Sequence, residues 1–171
     1  GRDLNVSIDE RVSGSVEASA EFLDIVAKDI LGNKRKEQVA MLADLGFFDA
    51  LLGATQCSSP ILVCKVAVIC ERASKLVAAG TLICDINFMW RSLHQIVSNM
   101  ALFPQKDQDV HGIDLICATS YEALLKSAVT SMVSLNSCLI AGMFELLREA
   151  TSVSCIGKIL ACFEMICTQH V

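Results

Sequence analysis

Cysteine and histidine are the side chains of this chain with the greatest capacity for nucleophilic, redox or metal chemistry. The nine cysteines are Cys57, Cys64, Cys70, Cys84, Cys117, Cys138, Cys155, Cys162 and Cys167. A zinc site needs close pairs of ligands that complete a tetrahedron, and no two of these cysteines form a CxxC pair. Most stand among Val, Ile, Leu and Ala with helical spacing, where a reduced cysteine packs as a small hydrophobe. We therefore expect core thiols and a reducing compartment, either cytoplasmic or nuclear.

The three histidines, His94, His111 and His170, fall on different predicted elements. The chain contains no glycine-rich phosphate loop, no GxSxG elbow and no HExxH motif. A cysteine–histidine pair could form only through the fold, and the sequence does not select one. We expect a non-enzymatic protein with no catalytic residue and no cofactor, in which His94 is a hydrogen-bonding group of a helix rather than a ligand.

A possible metal loop lies in the polar stretch 103–114, where Asp107, Asp109 and His111 alternate. An EF-hand loop would require more oxygen ligands, a central glycine and a distant glutamate at fixed spacing. Those residues do not occur at that spacing here. We interpret the stretch as a loop between helices and predict no metal site.

Charge and hydropathy exclude two kinds of partner. The basic run Lys34-Arg35-Lys36 stands in a chain of net charge −5, whereas nucleic-acid-binding domains usually carry a basic excess. We interpret the run as a solvated turn and predict no direct nucleic-acid partner. The longest apolar runs, Ile61 to Cys70 and Leu76 to Cys84, are about half of the roughly 20 residues that span a bilayer. We predict no membrane span.

The elements that position these residues are predicted to be helices. Within the stretch from Asn33 to Lys75, Gly46 follows one apolar periodic run and precedes a second, as a left-handed turn between two helices would require. Ser59 and Pro60 are typical of an N-cap and a first helical position. The run after them is apolar nearly all round, which is typical of a helix with neighbours on both sides.

Internal similarity extends this pattern along the chain. The segment DLGFFDALL at 44–52 is echoed by DINFMWRSL at 85–93 and more weakly by LIAGMFELL at 139–147. The predicted turn residues Gly46, Asn87 and Gly142 lie 41 and 55 positions apart. The first spacing matches the repeat length of roughly 40–47 in HEAT and armadillo proteins, and we interpret the second as stretched by an insertion near Pro104. On these segments the chain resembles the armadillo family.

The armadillo resemblance implies an all-α fold: a right-handed helical-repeat stack of about three to four repeats. We expect it to occupy residues 14–171 as one domain of a longer protein, after a flexible lead at 1–13. Apolar residues make up 53% of the chain and charged residues 19%, against about 45–50% and 25% in typical soluble domains. Two explanations remain open: a thick helical core, or an outer face covered by a partner or by further repeats.

The function that this resemblance implies is that of a scaffold or adaptor domain that binds another protein. A helical-repeat surface is fixed by packing, so an apolar helix or extended peptide can dock on it. The partner-binding candidates are Phe88, Met89, Trp90 and Arg91, because Trp and Arg are enriched at binding hot spots. The other interpretation of Trp90 is packing between repeats. A second candidate surface is the terminal helix from Cys155 to Cys167.

The alternative function is a structural subunit or dimerisation module that completes a larger helical-repeat assembly, with homo-oligomers as its expected form. A groove-binding domain should be a monomer that a peptide stabilises. A structural subunit should aggregate alone and be rescued by its partner chain.

Overall fold

The computed structural model describes residues 19–55, 59–82, 86–100, 112–130, 135 and 137–169. Every regular element in this part of the chain is a helix, so the all-α prediction is confirmed. The flexible lead predicted at 1–13 and the loop around Asp107 lie outside the described residues. Helix α1 covers 19–31 and is π-helical over Val26–Leu31. The other helices are α2 (Lys36–Asp44), α3 (Phe47–Ala54), α4 (Pro60–Ala78), α5 (Ile86–Met100), α6 (Ile113–Thr130), α7 (Ser137–Glu149) and α8 (Val153–Gln169).

The helices form two layers in which the main neighbours are two elements apart in the chain. One layer contains α1, α4, α6 and α8, packed side by side in that order. The other contains α3, α5 and α7, with α2 beside α1 and α3. Contacts between consecutive helices, such as α5 with α6 and α6 with α7, join the two layers.

The hydrophobic core draws its largest fully buried side chains from both layers. They include Ile69, Trp90, Leu93, Ile96, Tyr121, Leu124, Met143 and Ile159. Helix α4 has the surroundings that its apolar run predicted, because it packs against α1 and α6 within its layer and against α3 and α5 across the core.

Gly46 forms the predicted turn, whereas the two echoes of that turn do not. Gly46 has φ +76° between α2 and α3, and its N–H donates to the Ala43 carbonyl at 3.1 Å. Asn87 and Gly142 instead lie within α5 and α7, so the assignment of turns to them is wrong. Gly142 serves a packing role, since a Cβ placed there would overlap the Tyr121 hydroxyl of α6.

The buried cysteines pack as the apolar runs predicted. Cys117, Cys155 and Cys162 are fully buried thiols that form no disulfide. Burial raises the pKa of Cys162 to about 11, with Glu122 adding to the rise. These groups therefore stay protonated and contribute as small hydrophobes.

Asp114 joins the start of α6 to the turn between α7 and α8. Its Oδ1 accepts the Leu115 N–H at 2.8 Å, and its Oδ2 accepts the N–H groups of Thr151 and Ser152 at 3.1 and 3.3 Å. Burial alone would raise the pKa of this carboxyl, but the hydrogen bonds outweigh burial and lower it. The carboxylate therefore fixes where α7 ends and α8 begins.

Candidate functional site

The structure divides the partner-binding candidates of α5 between the core and the surface. Met89 and Trp90 have exposed fractions of 2% and 0%, whereas Arg91 is exposed. The side chain of Phe88 lies outside the described residues. Burial favours packing between helices as the role of Met89 and Trp90, the alternative that the sequence left open for the tryptophan. A partner on the surface of α5 would meet Arg91.

Exposed apolar side chains also lie on α7 and α8. Val153 is 86% exposed, Leu160 is 54% exposed, and Ile156 is also exposed on the same helix. Phe144 of α7 is 55% exposed. Its ring packs against the half-buried ring of Phe163, with the two ring centroids 4.8 Å apart. We call the surface of Phe144, Val153, Ile156 and Leu160 the end face, because α7 and α8 are the last described helices of their layers.

The end face follows from an unusual distribution of apolar residues on α8. The inward residues Cys155, Ile159 and Cys162 are fully buried, and α8 packs on α6. The outward residues of the end face recur at i, i+3 and i+7, about 130° around the helix from the inward ones, and form a second apolar stripe. A helix whose apolar surface is wider than one buried face normally has a further neighbour.

The surface around this second stripe is open and has little charge. An added Cβ at Gly157 would have no described heavy atom within 4 Å. Among the exposed residues that the structure describes on α8, Glu164 is the charged one. A ligand for such a surface would be apolar, with a basic group placed to meet Glu164.

A separate polar cluster lies where α5 meets α7. His94 of α5 has its Nδ1 atom 3.3 Å from Cys138 Sγ and its Nε2 atom 3.2 Å from Glu145 Oε2. The hydroxyl of Ser98 donates to the same glutamate oxygen at 3.2 Å. The structure thus places a thiol, an imidazole and a carboxylate in one hydrogen-bonded row, all three partly exposed. His94 is a hydrogen-bonding group, as the sequence predicted.

Arg91 and Tyr121 lie beside this row. Burial raises the pKa of the Cys138 thiol above its ordinary value, and the guanidinium of Arg91 offsets part of that rise. The buried Tyr121 hydroxyl has no hydrogen-bond partner among the described residues. Its pKa is raised by burial and further by the neighbouring acidic groups Cys117, Cys138 and Glu145.

The predicted surface on the terminal helix, Cys155 to Cys167, includes Ile156 and Leu160 of the end face, whereas Phe144, Val153 and the polar cluster were not predicted. The terminal helix stood out because its apolar residues exceed what one buried face can use. Cys138 and His94 are 44 positions apart, and α5 and α7 meet only because alternate helices pack together. No local motif encodes that pairing.

Comparisons with known proteins do not assign a function to this chain. No family model, no curated protein and no solved structure matches the chain. In the described ranges, no helix combines the length and apolar character needed to cross a membrane. No group of three or more His, Cys, Asp or Glu side chains in the same part of the chain could hold a metal ion.

Proposed function

We propose that this protein is a non-enzymatic helical-repeat scaffold that binds an amphipathic helix of another protein across the end face. The packing of alternate helices supports a stack of the armadillo/HEAT kind, with α3–α4, α5–α6 and α7–α8 as successive pairs and α1 as the remainder of a preceding one. The fully buried thiols support a reducing compartment, the cytosol or the nucleus.

The exposed apolar stripe on α8 carries this proposal. Monomeric proteins rarely expose contiguous apolar patches beyond a few hundred Å² unless something binds there. On the end face, large side chains from two helices are exposed, and the ring of Phe144 packs against the ring of Phe163. A surface of this kind fits a partner with apolar residues at i, i+3, i+4 and i+7.

The energy available from the end face is sufficient for a specific contact but not for tight binding alone. Fully burying a Leu or Phe side chain stabilises by about 1.5–3 kcal/mol. Phe144 and Leu160 are about half exposed, so covering each would contribute about 1 kcal/mol. A partner must therefore cover the whole stripe and pair with Glu164 to offset the entropy lost on association.

Site-specific photo-crosslinking of the full chain in cells tests the proposal. A photoreactive amino acid replaces Leu160 in one sample and the exposed residue Glu37 of α2 in the matched control. We expect a discrete adduct with another polypeptide from position 160 and none from position 37. Charge introduced beside the probe, as Ile156→Glu, should remove the adduct.

Two other results would decide against the proposal. An adduct of twice the chain mass from position 160 would favour the dimerisation module. Equal, diffuse labelling from positions 160 and 37 would show that the end face has no specific partner.

A further inference from the structure

The row formed by Cys138, His94 and Glu145 has the connectivity of a nucleophile, its base and the group that orients the base. An ionised carboxylate can only accept hydrogen bonds, so the Nε2 atom that faces Glu145 carries the imidazole proton. With the proton on Nε2, Nδ1 lies 3.3 Å from the Cys138 thiol and can accept its proton. Ser98 donates to the same carboxylate and holds it in position. Such an arrangement activates a cysteine.

Access, the helix dipole and Arg91 favour a reaction at this thiol, whereas burial opposes its ionisation. Cys138 is half-buried and lies in the first turn of α7, where the helix dipole stabilises an anion. Arg91 is exposed one turn before His94 and favours the thiolate. The thiol is protonated at rest because burial outweighs the effect of that guanidinium, so His94 must take the proton during the reaction.

We propose that Cys138 is a thiol–disulfide exchange site that forms a mixed disulfide with low-molecular-weight disulfides bearing carboxylates, such as glutathione disulfide. The Cys138 S–H proton moves to Nδ1 of His94, and the thiolate attacks one sulfur of the incoming disulfide. A new S–S bond forms to Cys138 while the original S–S bond breaks. The departing thiolate takes the proton from the His94 imidazolium and leaves as a thiol. The incoming disulfide is thus the oxidant, and atoms and electrons balance.

The choice of co-reactant follows from the groups around the sulfur. Exchange at sulfur leaves the negative charge on a second sulfur atom, so the site needs a base and a thiol but no oxyanion hole. The exposed guanidinium of Arg91 can pair with a carboxylate of the incoming molecule. Among the described residues, Arg91 and His94 act on the thiol from α5 and Tyr121 lies near it on α6, while Glu145 of α7 acts through His94.

This site is independent of the end face. Cys138 and Glu145 lie on the flank of α7 that meets α5, whereas Phe144 lies on the exposed side and reaches towards α8. A negative result in the crosslinking experiment therefore leaves the thiol site intact. A negative result in the disulfide-exchange experiment likewise leaves the end face intact.

The test is the rate of mixed-disulfide formation in the folded, reduced full chain exposed to glutathione disulfide from pH 6 to 9, followed by peptide mass mapping. We expect the Cys138 peptide of wild type to react at least about tenfold faster at neutral pH than that of His94→Gln. The rate in His94→Gln should rise only as the thiol itself ionises. The rate at Cys167, an exposed thiol at the end of α8, should be the same in both proteins.

A second comparison keeps the test valid if His94→Gln does not fold. Arg91→Gln changes an exposed side chain, so it should leave the melting temperature unchanged. It should slow exchange at Cys138 with glutathione disulfide several-fold and exchange with neutral hydroxyethyl disulfide by less, because loss of the guanidinium raises the thiol pKa for both reagents but removes a carboxylate contact only for glutathione disulfide. The proposal is overturned if Cys138 is unreactive in wild type, or if neither substitution changes its rate.

Discussion

The Asp114 carboxylate should be the most sensitive polar contact in this fold. Asp114→Ala would remove the acceptor of the Thr151 and Ser152 N–H groups. A buried donor left unpaired costs about 1–3 kcal/mol. These two donors give about 2–6 kcal/mol, and the partial exposure of the turn places the effect at the lower end, about 2–3 kcal/mol. The hydrogen bonds from both hydroxyls add to this loss.

The effect of Asp114 should depend on pH with a defined sign. Its pKa in the folded protein is lowered from the ordinary value of 3.8. The stability that it contributes is therefore present above pH 3.8 and is lost as the pH falls through the lower folded value. The difference between wild type and Asp114→Ala should be largest near pH 7 and should shrink on acidification.

Urea unfolding followed by circular dichroism at pH 7 and at pH 3 measures both quantities. The matched control is Asp44→Asn, a change at an exposed carboxylate of α2, which should stay within about 0.5 kcal/mol of wild type. The reasoning is refuted if Asp114→Ala is no more destabilising than the control at pH 7. A loss of the same size at both pH values would also refute it.

Three further predictions concern glycines and apolar positions. Gly142→Ala should destabilise by about 1–3 kcal/mol through overpacking, and the double variant with Tyr121→Phe should recover part of that loss, which thermal unfolding of wild type and the two variants measures. Gly46→Val should cost about 1–3 kcal/mol from backbone strain alone, since a Cβ there meets nothing within 4 Å; an unchanged urea midpoint would contradict the turn. Val66→Asp should unfold the domain, whereas Leu160→Glu should keep its helical circular dichroism and melting temperature.

The helices were predictable from local pattern, and the places where prediction failed share a physical cause. Pro60 begins α4 and Gly46 turns the chain because both effects depend on the residue's own backbone. The residues around Gly142 predict a turn, because a local sequence cannot show that the side chain of Tyr121, on another helix, occupies the space beside this glycine. Trp90 suits a binding surface and a core equally well, and only packing decides between them.

The two candidate sites also differ in how far a local sequence pattern predicts them. The end face was foreseeable in outline, because the last helix has more apolar residues than one buried side requires. The row of Cys138, His94 and Glu145 depends on α5 lying beside α7. That neighbour relation is set by the packing of the whole stack, which no short segment encodes.

Isothermal titration of the polypeptide captured at position 160 tests the end face as a docking surface. It compares the affinity of that polypeptide for wild type and for Leu160→Glu. Losing the apolar contact of Leu160 costs about 1 kcal/mol, and desolvating an unpaired carboxylate at the same place adds about 1 kcal/mol or more, so the dissociation constant should rise about 30-fold or more. The matched control, Ala40→Glu on the exposed side of α2, should bind as wild type does. An unchanged affinity in Leu160→Glu, with its fold intact, would contradict the end face as the docking surface.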